Sequence, residues 1–305
     1  MSLRLRLLNQ LLGLVAPPIQ SRTTDPFAAR VNFDRIARLF RRPPNVLHLV
    51  DAGPVPLHWV SARRRRIDWV ILYLNGGAYL TGSPLTHFAL VARIARMTGL
   101  QAVMPGYRLA PEHPAPAAFD DAVAAHARLL AKGFAPERII LAGDSAGGGL
   151  ALALLADLCA RNLTPAGLFA FSPWTDLALT GESLVSHADF DWIVPTGQIR
   201  EAVDLVLAGG DPRDPRVSPL YAAFHRPPPV FFQVGSREML RDDSRRMAEV
   251  LRQAGGQVIV EEWPECPHVW QMLDGYLPEA REALLHTADF VARLVSSSSP
   301  PPAGS

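Results

Sequence analysis

Cysteine is nearly absent from this chain, with Cys159 and Cys266 the only two among 305 residues. Two thiols cannot build the disulfide framework of a small secreted scaffold, and no Cys/His spacing resembles a zinc site. A reducing cytoplasm is the expected compartment. An excess of charge of one sign is also lacking, since 30 basic residues stand against 29 acidic ones for a net charge of +1. The balance gives no reason to expect nucleic acid or an anionic membrane as partner, and it suits a neutral or weakly charged substrate. No apolar run is long enough to span a bilayer, so no stable membrane anchor is expected. No internal repeat is visible, and nothing in the sequence fixes the oligomeric state, with which a homodimer is compatible.

With 49% hydrophobic residues, a chain of this length can bury the core of one large domain or of a domain with a subsidiary lid. At its start, Leu7, Leu8, Leu11, Leu12 and Val15 recur at helical spacing and predict an amphipathic helix. A signal peptide is the competing reading. It is disfavoured because Asn9 and Gln10 interrupt the apolar run, no A-x-A site follows, and Pro17 and Pro18 sit where cleavage would fall.

From Val46 onward, short β-rich runs alternate with helical patterns, the signature of a mostly parallel sheet flanked by helices. Eight strands are predicted at 46–50, 56–61, 69–74, 101–105, 138–143, 166–172, 229–235 and 257–263. The first three lie so close together that antiparallel pairing among them is expected. Helices are predicted at 85–97, 116–131, 146–161, 242–254 and 278–295. Residues 1–45 and an insertion at about 180–228 break the alternation, and long insertions in a compact sheet are often lids or binding elements. Arg63 to Arg66 read as a solvated hairpin loop, and the Ser/Pro/Gly-rich 296–305 as a disordered tail.

Gly143-Asp144-Ser145-Ala146-Gly147 matches G-x-S-x-G, a turn that holds an exposed serine between a strand and a helix in the α/β-hydrolase fold. The pentapeptide alone is weak, but a buried-strand pattern precedes it and a helix of small residues follows. A serine hydroxyl needs a base to take its proton and an acid to hold that base, and this fold supplies them in the order Ser, Asp/Glu, His. Among the downstream histidines, His225 precedes Arg226 and three prolines and His286 falls inside a predicted helix. His268, in a loop shortly after a strand, is the base. Three carboxylates compete for the third position. Asp242 and Asp243 open a predicted helix, where acidic residues have an ordinary structural role. Glu238 lies nearest the strand end and is preferred, with the two aspartates left as alternatives. Asn75-Gly76-Gly77-Ala78 directly follows a predicted strand, where this fold places backbone N–H donors for an oxyanion. Gly76, Gly77 and Ala146 are the expected donors.

These segments together resemble the hormone-sensitive lipase family of α/β-hydrolases, in particular its bacterial carboxylesterases. The resemblance covers about residues 1–295. It is carried by Leu72 to Ser83, by Tyr107-Arg108-Leu109-Ala110-Pro111-Glu112-His113-Pro114, by Gly143 to Gly148, by Ser172-Pro173-Trp174 and by Pro267-His268. It places the catalytic acid at Glu238, first residue of Glu238-Met239-Leu240-Arg241-Asp242-Asp243, where the family usually has Asp and admits Glu. It implies that 1–45 and part of the insertion form a helical cap over 46–295. It departs at Asn75, where the family has His, and at Ala78, where it has a third Gly. The resemblance implies a serine esterase acting on small-molecule esters with short acyl, aryl or alkyl groups, with lactones as a further candidate. Such chemistry needs no metal or organic cofactor. Amide or formamide hydrolysis by the same residues is the alternative. A non-catalytic receptor is disfavoured, because such relatives lose a triad residue and Ser145 and His268 are both present.

Overall fold

The computed structural model describes residues 1–20, 25–62, 66–191 and 198–297, with the backbone alone for 14–20. Its helices are α1 (Leu3–Gln20), α2 (Pro26–Ala37), α3 (Phe88–Thr98), α4 (Ala117–Ala131), α5 (Ser145–Ala160), α6 (Ser183–Ser186), α7 (Ile199–Leu207), α8 (Arg241–Gln253) and α9 (Pro278–Ser297). Its strands are β1 (Leu47–Asp51), β2 (Leu57–Ser61), β3 (Val70–Leu74), β4 (Gln101–Pro105), β5 (Ile139–Asp144), β6 (Gly167–Phe171), β7 (Val230–Gly235) and β8 (Val258–Trp263). Every predicted strand and helix therefore has its counterpart, shifted by at most a few residues at the ends. The Arg63 to Arg66 loop and the 296–305 tail fall largely outside the described residues.

One sheet orders the strands β1-β2-β4-β3-β5-β6-β7-β8. Pairing is antiparallel for β1 with β2 and β2 with β4, and parallel throughout the rest. The expected antiparallel pairing thus holds for β1 and β2 but not for β3. All five residues of β3 are buried, which suits an interior position between β4 and β5. Strand β2, only partly buried, takes the place nearer the edge.

Alternation along the buried strands splits the core between two faces. Val70, Leu72 and Leu74 pack with α4, α5 and α8, whereas Ile71 and Tyr73 pack with α3 and α9. Helix α5 is the most enclosed, and its small residues are there for close approach. A Cβ on Gly147 would lie 2.2 Å from the Leu74 carbonyl oxygen, and one on Gly149 would overlap the Trp174 carbonyl.

The two segments outside the alternation dock beside the carboxyl ends of the strands. Helix α1 buries Leu5 against Cys266, Trp270, Leu277, Ala280 and Ala283, and Asn9 Nδ2 donates to the Glu265 carbonyl at 2.9 Å. Helix α2 is tied down by Arg30, which donates to the carbonyls of Leu80 and Ala110 and pairs with Glu112. In the insertion, Val206 of α7 accepts from the Ala115 N–H at 2.8 Å. Among the described residues, no helix is long and apolar enough to cross a membrane.

Candidate active site

Four adjacent parallel strands, β5 to β8, end at the same edge of the sheet, and a chemistry-bearing residue follows each. Asp144 pairs with Phe171, Phe171 with Gln233, and Gly235 with Trp263. Just beyond these ends lie Ser145, Ser172, Glu238 and His268. Neighbouring strands are about 4.8 Å apart, so this topology gathers residues that are up to 123 positions apart in the sequence.

Ser145 begins α5 with φ = 52°, a left-handed conformation that a non-glycine residue adopts at a cost of about 1–3 kcal/mol. The flanking glycines make the turn possible: a Cβ on Gly143 would sit 2.4 Å from the Gly147 carbonyl oxygen. Ser145 Oγ makes no hydrogen bond to any described residue, His268 included, and contacts of this kind are often longer without substrate.

His268 and Glu238 are brought together. His268 Nδ1 lies 2.8 Å from Glu238 Oε2, with both side chains buried. The other oxygen, Oε1, accepts from Ser172 Oγ at 2.7 Å and from the Gly235 N–H at 2.6 Å. The carboxylate is therefore held on both sides. Asp242 and Asp243 are committed elsewhere: Asp242 accepts from the Ser183 N–H, and Asp243 from the N–H groups of Thr175 and Asp176. Burial pulls the His268 pKa down, but the charge and hydrogen bond of Glu238, helped by Asp191 and Asp144, leave it above the ordinary 6.5. Sequence reasoning assigns no role to Ser172 or Asp191. Ser172 belongs to the Ser172-Pro173-Trp174 segment of the family resemblance, and its position just after β6 is the one signal that points to the Glu238 contact.

The oxyanion loop needs one correction. The Gly76 N–H donates to Asp144 Oδ1 at 3.0 Å, so it is not available to a substrate oxygen. Gly77 (φ = 126°) and Ala78 (φ = 55°) have left-handed backbones, and among the described residues their N–H groups have no acceptor. Ala146, second residue of α5, carries one of the N–H groups that a helix start leaves without an intrahelical partner. Gly77, Ala78 and Ala146 are the available donors.

Asp144 explains how the loop is held. Its carboxylate also accepts from Tyr73 Oη at 2.8 Å and faces His87 Nε2 at 3.2 Å. Burial works to raise its pKa, but His87, Tyr73 and the Gly76 N–H together hold it below the usual value. Asn75 contributes less through its side chain, with Nδ2 at 3.2 Å from the Gly76 carbonyl, than through its backbone oxygen, which Tyr107 Oη bonds at 2.6 Å. Among the described residues, no group of three or more His, Cys, Asp or Glu side chains could hold a metal ion.

The model of a family described as alpha/beta hydrolase fold matches residues 71–272. A crystal structure of an esterase from the bacterial hormone-sensitive lipase family superposes with a TM-score of 0.89 at 35% identity, covering 97% of this chain and 99% of that one. The chain belongs to the hormone-sensitive lipase family of α/β-hydrolases. An acetyl-hydrolase of Streptomyces hygroscopicus is 40% identical, covering 84% of this chain and 86% of its own. An esterase of Acinetobacter venetianus is 36% identical over 88% and 89%. This family member is a carboxylesterase-type hydrolase.

Proposed function

We propose that this esterase cleaves small carboxylic esters with short acyl groups, acetyl first among them, through an acyl-enzyme on Ser145. The observation that carries the reading is the buried Glu238–His268 pair on the same sheet edge as the strained Ser145 turn. His268 removes the Ser145 proton as Oγ attacks the acyl carbonyl. The N–H groups of Gly77, Ala78 and Ala146 receive the charge that develops on the carbonyl oxygen. His268 then passes the proton to the leaving alcohol. In the second half it takes a proton from a water that attacks the acyl carbon, then passes that proton to Ser145 Oγ as the acyl–Oγ bond breaks, which releases the carboxylic acid and restores the serine. Glu238 holds the ring in the productive orientation and stabilises the imidazolium.

Residues 1–45 and 180–228 act as the cap over the 46–295 domain and select what reaches Ser145. In support, Asn9 from the first segment and Phe190 and Asp191 from the second line one small cavity with Glu238 and His268. The two cysteines are free, which supports a reducing cytoplasm as the place of work.

The test is mass measurement after a serine-directed organophosphate, mapped to a peptide, together with turnover of p-nitrophenyl acetate. An adduct on Ser145 and loss of turnover in Ser145→Ala are expected. Turnover that survives Ser145→Ala sinks the assignment.

A further inference from the structure

The near-neutral charge of the whole chain hides an uneven distribution. Residues 1–45 contain eight arginines and two aspartates, a net +6, which leaves −5 for the other 260 residues. On α1 and α2 the exposed arginines lie among apolar side chains that face outward, whereas Arg30 is turned to Glu112. On α1, Leu3, Leu7 and Leu11 are 70%, 56% and 56% exposed. They are spaced four residues apart and so form one stripe along the helix, while Leu5 on the other side is fully buried. Arg4 and Arg6, both exposed, flank that stripe. On α2, Phe27 and Val31 are about half exposed, Leu39 just beyond its end is 69% exposed, and the exposed Arg35 and Arg38 lie among them.

Both helices are linked through Tyr276. Arg4 donates to the Tyr276 carbonyl at 3.1 Å, Tyr276 Oη donates to the Leu39 carbonyl at 2.7 Å, and Arg41 stacks on the Tyr276 ring. The start of α1 and the end of α2 therefore meet at a single residue. The acidic groups on these helices are Asp25, which caps α2 by accepting from the Phe27 N–H, and the exposed Asp34.

We infer that this face docks the enzyme reversibly on an anionic phospholipid surface. An apolar stripe edged by arginines suits such an interface: the leucines enter the acyl boundary while the guanidinium groups stay at headgroup level. A second copy of this chain would set the exposed Arg4, Arg6, Arg35 and Arg38 against the same arginines, and a neutral partner would leave the cations without use. Asn9 of α1 bonds the Glu265 carbonyl, three residues from His268. Docking here therefore brings the surface close to the catalytic loop, where an ester dissolved in the lipid could enter.

The test is co-sedimentation of the full chain with vesicles of phosphatidylcholine alone and of phosphatidylcholine with phosphatidylglycerol in a two-to-one ratio. Binding to the anionic vesicles is expected, with release when salt shortens the screening length to about 3 Å. Arg35→Gln/Arg38→Gln should weaken binding about 25-fold, taking about fivefold for each arginine near the surface. Leu3→Ser/Leu7→Ser should weaken it by at least as much, and both variants should turn over soluble p-nitrophenyl acetate like the parent. Equal binding to both vesicle types, no binding to either, or binding untouched by both variants overturns the inference. So does a dimer in sedimentation equilibrium that the leucine variant dissociates. The soluble-ester assay keeps these outcomes separate from failure of the esterase reading.

Discussion

His87 Nε2 lies 3.2 Å from Asp144 Oδ2, with both side chains at most 3% exposed. Asp144 immediately precedes Ser145, the proposed nucleophile, and its other oxygen holds the Gly76 N–H. Through one carboxylate, His87 is thus coupled both to the Ser145 turn and to the loop proposed to carry the oxyanion donors. Hydrogen bonds to a charged group are worth about 1.5–3 kcal/mol, so His87→Leu should lower the melting temperature. It should also lower kcat with little change in KM, by less than the roughly 10²- to 10³-fold cost of a lost oxyanion donor. His87→Gln, which keeps an N–H donor, should recover much of both. A His87→Leu protein that melts early but keeps full kcat would show that the contact only supports the fold.

Glu238 should matter to rate far more than its two acidic neighbours. Removing the charge behind a catalytic histidine in a comparable triad costs on the order of 10⁴ in kcat. Glu238→Gln is expected to approach that loss, while Asp242→Asn and Asp243→Asn should lose far less. The pH profile gives a second readout. With His268 as the proposed base, catalysis needs it neutral, so kcat/KM should rise with pH through a value above 6.5. In Glu238→Gln the opposing charge is gone, burial dominates, and the limb should move to lower pH. A limb that stays in place would separate Glu238 from the titration of His268.

The contrast between Glu238 and Asp144 marks what the sequence makes legible. Strand ends, the serine turn and the loop of His268 are local patterns of apolar runs, glycines and spacing, and all eight strands could be read from them. Glu238 stands out in the sequence because it lies only three residues past the end of β7, again a local fact. The Gly76 N–H looked available because its acceptor lies 68 positions away. His87 is 57 positions from Asp144, and no periodicity links the two. The placement of β3 inside the sheet was missed for a related reason. Short spacing suggests a neighbour, but burial on both faces decides where a strand of Val, Ile, Leu and Tyr goes.

Asp243 should make stability depend on pH. Burial, with the charge of Asp176 adding to it, raises its pKa from 3.8 to about 7. Between those values the folded protein keeps a proton that the unfolded chain has released. Stability from this group is therefore greatest below pH 3.8, falls as pH rises, and is fully lost above about 7. Asp243→Asn removes the ionisation. Its melting temperature relative to the parent should improve from about pH 5 to about pH 8. A difference that stays constant, or moves the other way, would contradict a raised pKa at this site.

Gly77 and Ala78 offer the sharpest test of which backbone groups face the substrate. A Cβ on Gly77 would sit 2.2 Å from the Thr81 carbonyl oxygen, at a φ of 126° that side chains rarely adopt. Gly77→Ala must therefore shift the loop, and displacing one donor should cost about 10²- to 10³-fold in kcat. Ala78 already holds φ = 55°, at a cost of roughly 1–2 kcal/mol for a residue with a Cβ. Ala78→Gly keeps the N–H and relieves that strain, so kcat should stay near the parent value and stability should not fall. Steady-state kinetics on p-nitrophenyl acetate checks both. Equal activity in Gly77→Ala would place the donors elsewhere. A large loss in Ala78→Gly would mean that the loop depends on the alanine side chain to hold its N–H groups in line.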